Sequence, residues 1–328
     1  MLDPAIASAR RAVRSALAAL ETPGPVVVAL SGGADSLALA AAAAFEAPKL
    51  GRDAHAVTID HGLQAGSADQ AERAAAQARD LGLGARVIRV EVGSDGGPEA
   101  AARDARYAAL RDAAHEIGAV AVLVGHTLDD QAETVLLGLA RGSGAGSLQG
   151  MAPARIDDAG LAWIRPLLGL RRDETRAFCA AAGLEAWADP QNADLRFARV
   201  RVRDRVLPVL ERELGPGVAE ALARTAEQLR EDNEAFADMI DETIEDICEP
   251  AEAGIAVSVP ALAANPAAVR NRVIRHVAQS EFDAVLTRAQ TLEVARLVTD
   301  WRGQGPIDLP GCSAARIGTR IVFTASPN

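Results

Sequence analysis

Aromatic side chains make up only 3% of the 328 residues, and lysine occurs once, at Lys49. The hydrophobic fraction of 49% is therefore carried largely by alanine, and a mean hydropathy of +0.06 overstates the bulk available for burial. It still excludes a disordered chain. Every cation other than Lys49 is arginine, a permanent charge that forks onto phosphate or carboxylate and exchanges no proton near neutrality. Long apolar runs are lacking too: Leu37 to Phe45 is broken by Glu46 at about half of the ~20 residues a membrane span needs. Cysteine is scarce and widely spaced, at Cys179, Cys248 and Cys312, with neither a CxxC pair nor an even framework, as expected of a reducing, cytoplasmic setting. A net charge of −11 excludes a protein that coats nucleic acid indiscriminately, while leaving room for a local basic site.

The length suits two domains. Met1 to Leu20 is rich in alanine and arginine but lacks the apolar core of a signal peptide, so the expectation is a first helix. Short β-branched runs then alternate with alanine-rich helical stretches. Pro25–Leu30, Ala54–Asp60, Ala85–Val92, Ala119–Val124 and Leu161–Arg165 read as strands. Strands separated by helices predict a parallel sheet covered on both faces, an α/β doubly wound fold with ligands at the carboxyl ends of its strands. Arg141–Ser147 reads as a glycine-rich connector. Val206 to about Cys248 is helical, with an acidic run near Glu231 to Asp246 that reads as a solvated face. Helices around Ala267–Ser280 and Arg288–Asp300 and a hairpin over Ile307–Thr324 complete the chain.

After the first strand, Ser31-Gly32-Gly33-Ala34-Asp35-Ser36 leads directly into the helical Leu37-Ala38-Leu39-Ala40. Two glycines let the backbone turn tightly, the helix start offers free N–H groups, and two hydroxyls add donors, which together make a pocket for an anion. The bland alternative is a strand-to-helix turn with Ser31 as its N-cap. A GxxxxGK[ST] loop is excluded because Lys49 lies elsewhere, and GxGxxG is absent. Asp35 would repel a phosphate unless a divalent cation lay between them, so Mg²⁺ is expected to bridge Asp35 and a pyrophosphate group.

The fourth strand leads into Gly125-His126-Thr127-Leu128-Asp129-Asp130-Gln131-Ala132-Glu133-Thr134. On a helix His126, Asp130 and Glu133 fall at i, i+4 and i+7, on one face. A metal site and a capped helix start are alternatives. Capping is favoured for Asp129, and chemistry for the other three.

Ser-Gly-Gly-x-Asp-Ser resembles the signature of the ATP pyrophosphatases, the PP-loop enzymes, which split ATP into AMP and pyrophosphate while adenylating a substrate oxygen. From about Pro25 to Arg230 the chain is similar to one family of that superfamily, the tRNA(Ile)-lysidine synthetases. The blocks that carry this are Ile59-Asp60-His61-Gly62, then Glu99 with Arg103, Arg106 and Tyr107, and the Gly125–Thr134 segment. Arg141-Gly142-Ser143-Gly144, Arg165-Pro166-Leu167-Leu168, and Asp189-Pro190 with Asn192 ahead of an arginine run and Leu207-Pro208 follow in order. Val200 departs from the pattern, since many members carry asparagine there. Past Cys248 the likeness thins, and the chain looks like a short form of the family.

The resemblance implies a Rossmann-like, adenine nucleotide alpha hydrolase-like sheet followed by a mainly helical C-terminal region. Its expected parts are a PP-loop catalytic domain over 1–188, a helical tRNA-contacting region over 189–250, and a small helical and β region over 251–328. It implies ATP-dependent joining of free L-lysine to C2 of the wobble cytidine of tRNA(Ile) with a CAU anticodon, through an adenylated intermediate. Decoding then changes from AUG to AUA, and charging from methionine to isoleucine. Ser31, Gly32, Gly33, Ala34, Asp35, Ser36, Asp60, His61, Arg103 and Arg106 are the implied ATP-binding residues, the two arginines as a clamp for the leaving pyrophosphate. Asp35, His126, Asp130 and Glu133 are the catalytic candidates. A lysine ε-amine is neutral in only about one molecule in 2,500 at pH 7, roughly 4.6 kcal/mol against attack, so the last three must bind the ammonium and take its proton, in an order left open.

For the tRNA, Arg196, Arg199, Arg201, Arg203 and Arg205 face only Asp204 in their ten-residue window. Arg199, Arg201 and Arg203 share a side if the segment is extended, and Arg196, Arg199 and Arg203 if it is helical. Arg171, Arg172 and Arg176, and Arg270, Arg272 and Arg275, are weaker patches. A homodimer is left open. The competing readings are a tRNA 2-thiolation enzyme, which needs reactive cysteines or an iron–sulfur cluster, and a regulator that holds ATP without turnover.

Overall fold

The structure, a computed structural model, describes residues 2–326 except 63, 65, 92, 94–97, 143 and 253, and leaves out the side chains of 98–100 and 191. Val92 at the end of the expected third strand, Ser143 of the glycine-rich run and the Glu99 side chain are therefore outside the described set. Two compact units divide at Arg230/Glu231, whereas the sequence marks boundaries at 188/189 and 250/251. The residues from 189 to 230 fold with the first unit.

The first unit opens with α1 (Pro4–Ala18), whose start is set by Pro4 and by Asp3, which accepts the Ala5 N–H at 2.8 Å. Its buried stripe is Ala5, Ala9, Val13 and Leu17, four residues apart. β1 (Val26–Ala29) follows, then α2 (Ala34–Glu46), β2 (Ala54–Asp60), α3 (Ser67–Asp80), β3 (Gly84–Arg89), α4 (Pro98–Ile117), β4 (Ala121–Val124) and α5 (Leu128–Ala140). A helical turn α6 (Ala145–Leu148), within the stretch expected to be all loop, leads to β5 (Ala154–Ile156), β6 (Ala162–Ile164) and α7 (Arg172–Ala182). α8 (Ala198–Arg201) runs through a π-type turn at Val202–Val206 into α9 (Leu207–Leu214), and α10 (Val218–Ile247) crosses into the second unit.

The strand order is β3-β2-β1-β4-β6-β5, parallel except for the edge strand β5. Burial alternates along β1: Val26 and Val28 pack with α1, α2 and α7, while Val27 packs with Leu110 and Ala114 of α4 beside Trp163. Helices on both faces make the sheet doubly wound, as the sequence predicts. The order reverses between β1 and β4, which opens a crevice at their carboxyl ends. Alanine has a use here, because the fully buried Ala38, Ala40, Ala42 and Ala43 let α2 lie close against its neighbours. No described helix is long and apolar enough to cross a membrane.

The second unit packs the distal part of α10 with α11 (Val259–Ala264), α12 (Ala267–Phe282) and α13 (Arg288–Thr299) around Leu262, Val273, Leu297 and Phe323. Its antiparallel sheet has the order β7-β8-β11-β10-β9, comprising β7 (Cys248–Ala251), β8 (Gly254–Ser258), β9 (Ile307–Leu309), β10 (Cys312–Ile317) and β11 (Arg320–Ala325). The hairpin expected over Ile307–Thr324 is a three-stranded meander, β9–β10–β11. β7 escapes the sequence reading because the acidic Glu249 and Pro250 interrupt its pattern, and β8 follows it as a strand of only five residues.

Candidate active site

The Ser31–Ser36 turn joins β1 to α2 at the crevice. The Ser36 hydroxyl donates to the Gly33 carbonyl at 3.0 Å and accepts the Ser31 N–H at 3.1 Å, and the two serine hydroxyls lie 3.1 Å apart. Gly33, not Ser31, is the N-cap, so Asp35 stands in the first turn of α2. Gly32 has φ +83°, and a Cβ there would lie 3.2 Å from Ala74 Cβ. Across the crevice a Cβ on Gly125 would lie 3.1 Å from backbone atoms of Asp35 and Ser36. β4 therefore ends directly against the loop.

The acidic cluster is built from three helix starts. α5 begins at Leu128, so His126 is not on it and reaches the site from the end of β4. Asp130 caps that helix: its Oδ2 accepts the Thr127 N–H at 2.8 Å and the Thr127 hydroxyl at 2.9 Å. The capping expected of Asp129 falls instead to its neighbour, because three residues from the N-cap is the position from which a carboxylate can reach back. Asp129 accepts from Arg171 Nη2 at 3.0 Å and from the Arg172 N–H at 2.7 Å, holding the start of α7. Arg172 then spans the site. Its Nη2 donates to Asp130 Oδ1 at 2.9 Å and Glu133 Oε1 at 3.1 Å, and its Nε lies 3.8 Å from Asp35 Oδ2. One helical turn on, the Thr175 hydroxyl donates to Asp35 Oδ1.

These contacts set the proton affinities. Burial pushes the Asp35 carboxyl above its ordinary value; the Thr175 hydroxyl opposes the rise and the Asp130 charge adds to it. Burial would raise Asp130 as well, but Arg172 and the Thr127 N–H hold it below the usual carboxylate range. His126 is depressed to about 3, by burial and by Arg165, Arg106 and Arg199, against the pull of Asp130. Its Nδ1 is buried without a hydrogen-bond partner.

A model of the PP-loop domain matches residues 7–210, and one of the TilS substrate binding domain matches 258–321. The chain is 57% identical over 300 residues to a tRNA(Ile)-lysidine synthase of Leifsonia xyli subsp. xyli, covering 91% of this chain and 89% of that one. A synthase of the same name from Salinispora tropica is 52% identical, covering 94% and 93%. The chain belongs to the tRNA(Ile)-lysidine synthase family. The family likeness expected to thin past Cys248 in fact continues through the second unit. Among solved structures, the U34-tRNA thiolase NcsA from Methanococcus maripaludis, with its [4Fe-4S] cluster, superposes with a TM-score of 0.60 at 22% identity, over 69% of this chain and 80% of that one. That likeness shows the fold.

In this member of the synthase family the arginine run is helical and divides by face. Arg203 and Arg199 turn inward: Arg203 Nε and Nη2 donate to the fully buried Glu133 at 2.7 and 3.0 Å, and Arg199 donates to the Thr134 hydroxyl at 2.9 Å. Arg196, Arg201 and Arg205 are exposed. Arg196 pairs with Asp194, and Arg201 donates to the carbonyls of Leu195 and Arg196. Val200, the departure from the family pattern, is a buried apolar residue.

At the end of β2, the Ser67 hydroxyl and the Gly62 N–H hold Asp60 below its usual range. His61 is lowered by burial and by Arg106, whose charge also acts on His126. Arg103 and Arg106 both lie over the Tyr107 ring, at 5.0 and 5.5 Å, with Arg103 exposed.

Sequence reasoning passes over Thr175 and any role for Arg165, and reads Arg171 and Arg172 as a weak patch that either follows the tRNA stem or is helix surface. They are instead ion-paired to α5. A signal was available: two arginines at the very start of a helix oppose its dipole and require nearby carboxylates. Arg165 is buried, with one N–H on the Ala152 carbonyl at 2.8 Å and its Nε unpartnered, in a block quoted only for its resemblance.

Proposed function

We propose that the chain adenylates the C2 carbonyl oxygen of the wobble cytidine of tRNA(Ile) bearing a CAU anticodon. The ε-amine of lysine then attacks C2, AMP leaves, and lysidine remains, with pyrophosphate released in the first step. The observation that carries this is the joining of the Ser31–Ser36 loop to the Asp130–Glu133 pair through Arg172 and Thr175, which supports reading the crevice as a nucleotide half beside an amine half.

The free N–H groups at the start of α2 and the two serine hydroxyls take the pyrophosphate part of ATP. Asp35 has one oxygen on Thr175, and the other lies 3.8 Å from Arg172 Nε. No group of three or more metal-ligating side chains occurs among the described residues. A single, lightly engaged carboxylate fits Mg²⁺ held mainly by phosphate oxygens and water, and does not fit an all-protein cage. When bound, such an ion neutralises charge on the leaving pyrophosphate. Arg106 and Arg103 supply fixed positive charge to the same end.

Asp130, kept ionised, and Glu133 hold the lysine ammonium. A cavity of about 140 Å³ bounded by Asp129, Glu133, Arg171, Arg172, Arg203 and Glu211 has walls of both signs, as a zwitterionic amino acid requires. The ammonium must lose one proton before its nitrogen can attack C2 and a second as the carbon–nitrogen bond forms, and the neutral His126, whose Nδ1 has no hydrogen-bond partner, and the two carboxylates are the proposed acceptors. The exposed Arg196, Arg201 and Arg205 contact tRNA phosphates. The setting is cytoplasmic. A thiolation reading is disfavoured because burial pushes Cys179 and Cys248 up to about 11, leaving thiols rather than thiolates.

The test is incubation with ATP, labelled lysine and unmodified tRNA(Ile) with a CAU anticodon. Label at the wobble position with stoichiometric AMP is expected. ATP bound but never split, or modification only with a sulfur donor, refutes the reading.

A further inference from the structure

We propose that Arg172 is a resident place-holder for the substrate ammonium, which keeps the amine half of the crevice closed until ATP draws it away. The inference rests on the reading of Asp130 and Glu133 as the lysine-binding pair. Both carboxylates are buried, Glu133 completely, and a single nitrogen, Arg172 Nη2, lies within 3.1 Å of each. A primary ammonium seeks that same position, between two carboxylates at hydrogen-bond distance. Glu133 does not need Arg172 for neutrality, since Arg203 holds both of its oxygens and Arg199 lies 3.6 Å away. Asp130 likewise keeps its bonds from Thr127. The third guanidinium is therefore the exchangeable one.

Its location gives it somewhere to go. Arg172 is the first residue of α7, so its side chain stands at a helix end. Its Nε already lies 3.8 Å from Asp35 in the nucleotide loop. A triphosphate in that loop presents new anionic oxygens on the Asp35 side, and a guanidinium that turns toward them vacates the Asp130–Glu133 position. ATP and lysine then bind with positive coupling through one side chain, which also orders the reaction: an amine is admitted only where an activated base can form.

The test is calorimetric titration of lysine into the full chain, with and without a non-hydrolysable ATP analogue, for the native protein, Arg172→Gln and Asp130→Asn. Lysine should bind the native protein about tenfold more tightly when the analogue is present, the factor by which a place-holder occupying nine-tenths of the sites depresses apparent affinity. Arg172→Gln should bind lysine tightly with or without the analogue. Equal or weaker lysine binding by Arg172→Gln than by the native protein overturns the inference. Should that variant not fold, Arg172→Lys serves: its shorter cation blocks less well, lysine affinity without the analogue rises by a smaller factor, and a fall in affinity overturns the proposal. Asp130→Asn separates the two levels, because undiminished lysine binding there removes the site reading itself.

Discussion

Asp130 Oδ2 accepts both the backbone N–H and the hydroxyl of Thr127, at 2.8 and 2.9 Å, so one carboxylate both starts α5 and faces Arg172. Asp130→Asn keeps an oxygen for the cap and loses the charge. The expected outcome is a stability loss of about 1 kcal/mol in urea denaturation together with a KM for lysine raised by at least about tenfold. Asp130→Ala, which removes the cap as well, should lose about 1 kcal/mol more.

Gly125 has no room for a methyl group, since the atoms 3.1 Å from a Cβ are backbone of Asp35 and Ser36 and cannot rotate aside. Gly125→Ala should shift the nucleotide loop and destabilise the fold by about 1–3 kcal/mol. Pyrophosphate release should fall by more than tRNA binding, measured by filter retention of labelled tRNA. Equal losses in both would place the effect in global unfolding.

Arg203 and Arg205 are two residues apart with opposite surroundings. Arg203→Ala removes two of the three hydrogen bonds described to the fully buried Glu133, leaving the one from Arg172, and should destabilise the protein by about 3 kcal/mol. Arg205→Ala should leave the denaturation midpoint unchanged, weaken tRNA binding and reduce the slope of log affinity against log salt by about 1.

His126 gives a pH signature. Its folded value of about 3 lies below the ordinary 6.5, so between those limits the unfolded chain binds more protons. Its contribution to stability is complete above pH 6.5 and is lost as pH falls through that window. His126→Gln should flatten the decline of the denaturation midpoint over this range. With imidazole neutral at working pH, kcat/KM for lysine should rise about tenfold per pH unit from roughly pH 6 to 9, following the substrate amine.

How much of this was legible in the sequence follows from how far apart the interacting residues are along the chain. The turn at Ser31–Ser36 was legible because strand, turn and helix start are contiguous, and the parallel strands because β-branched runs alternate with alanine-rich ones. The edge strand β5 was not, being three exposed residues that pair antiparallel. The arginine run was legible as a basic segment but not as two faces, since its partner Glu133 lies 70 residues away from Arg203. Arg172 was missed for the same reason: nothing near it in sequence shows that Asp130, 42 residues earlier, is within reach.

The chain's only lysine sits just beyond the far end of the helix that opens at the nucleotide loop. α2 is 13 residues long, a rod of about 20 Å. Beyond it the Lys49 ammonium is held 3.3 Å from the centre of the Phe45 ring and 3.5 Å from Glu46. No tethered ε-amine of the enzyme can intercept the adenylated base, so the activated carbonyl waits for an amine that arrives by diffusion. An acylating reagent that reacts with side-chain amines should accordingly mark this protein at a single position while leaving its turnover intact.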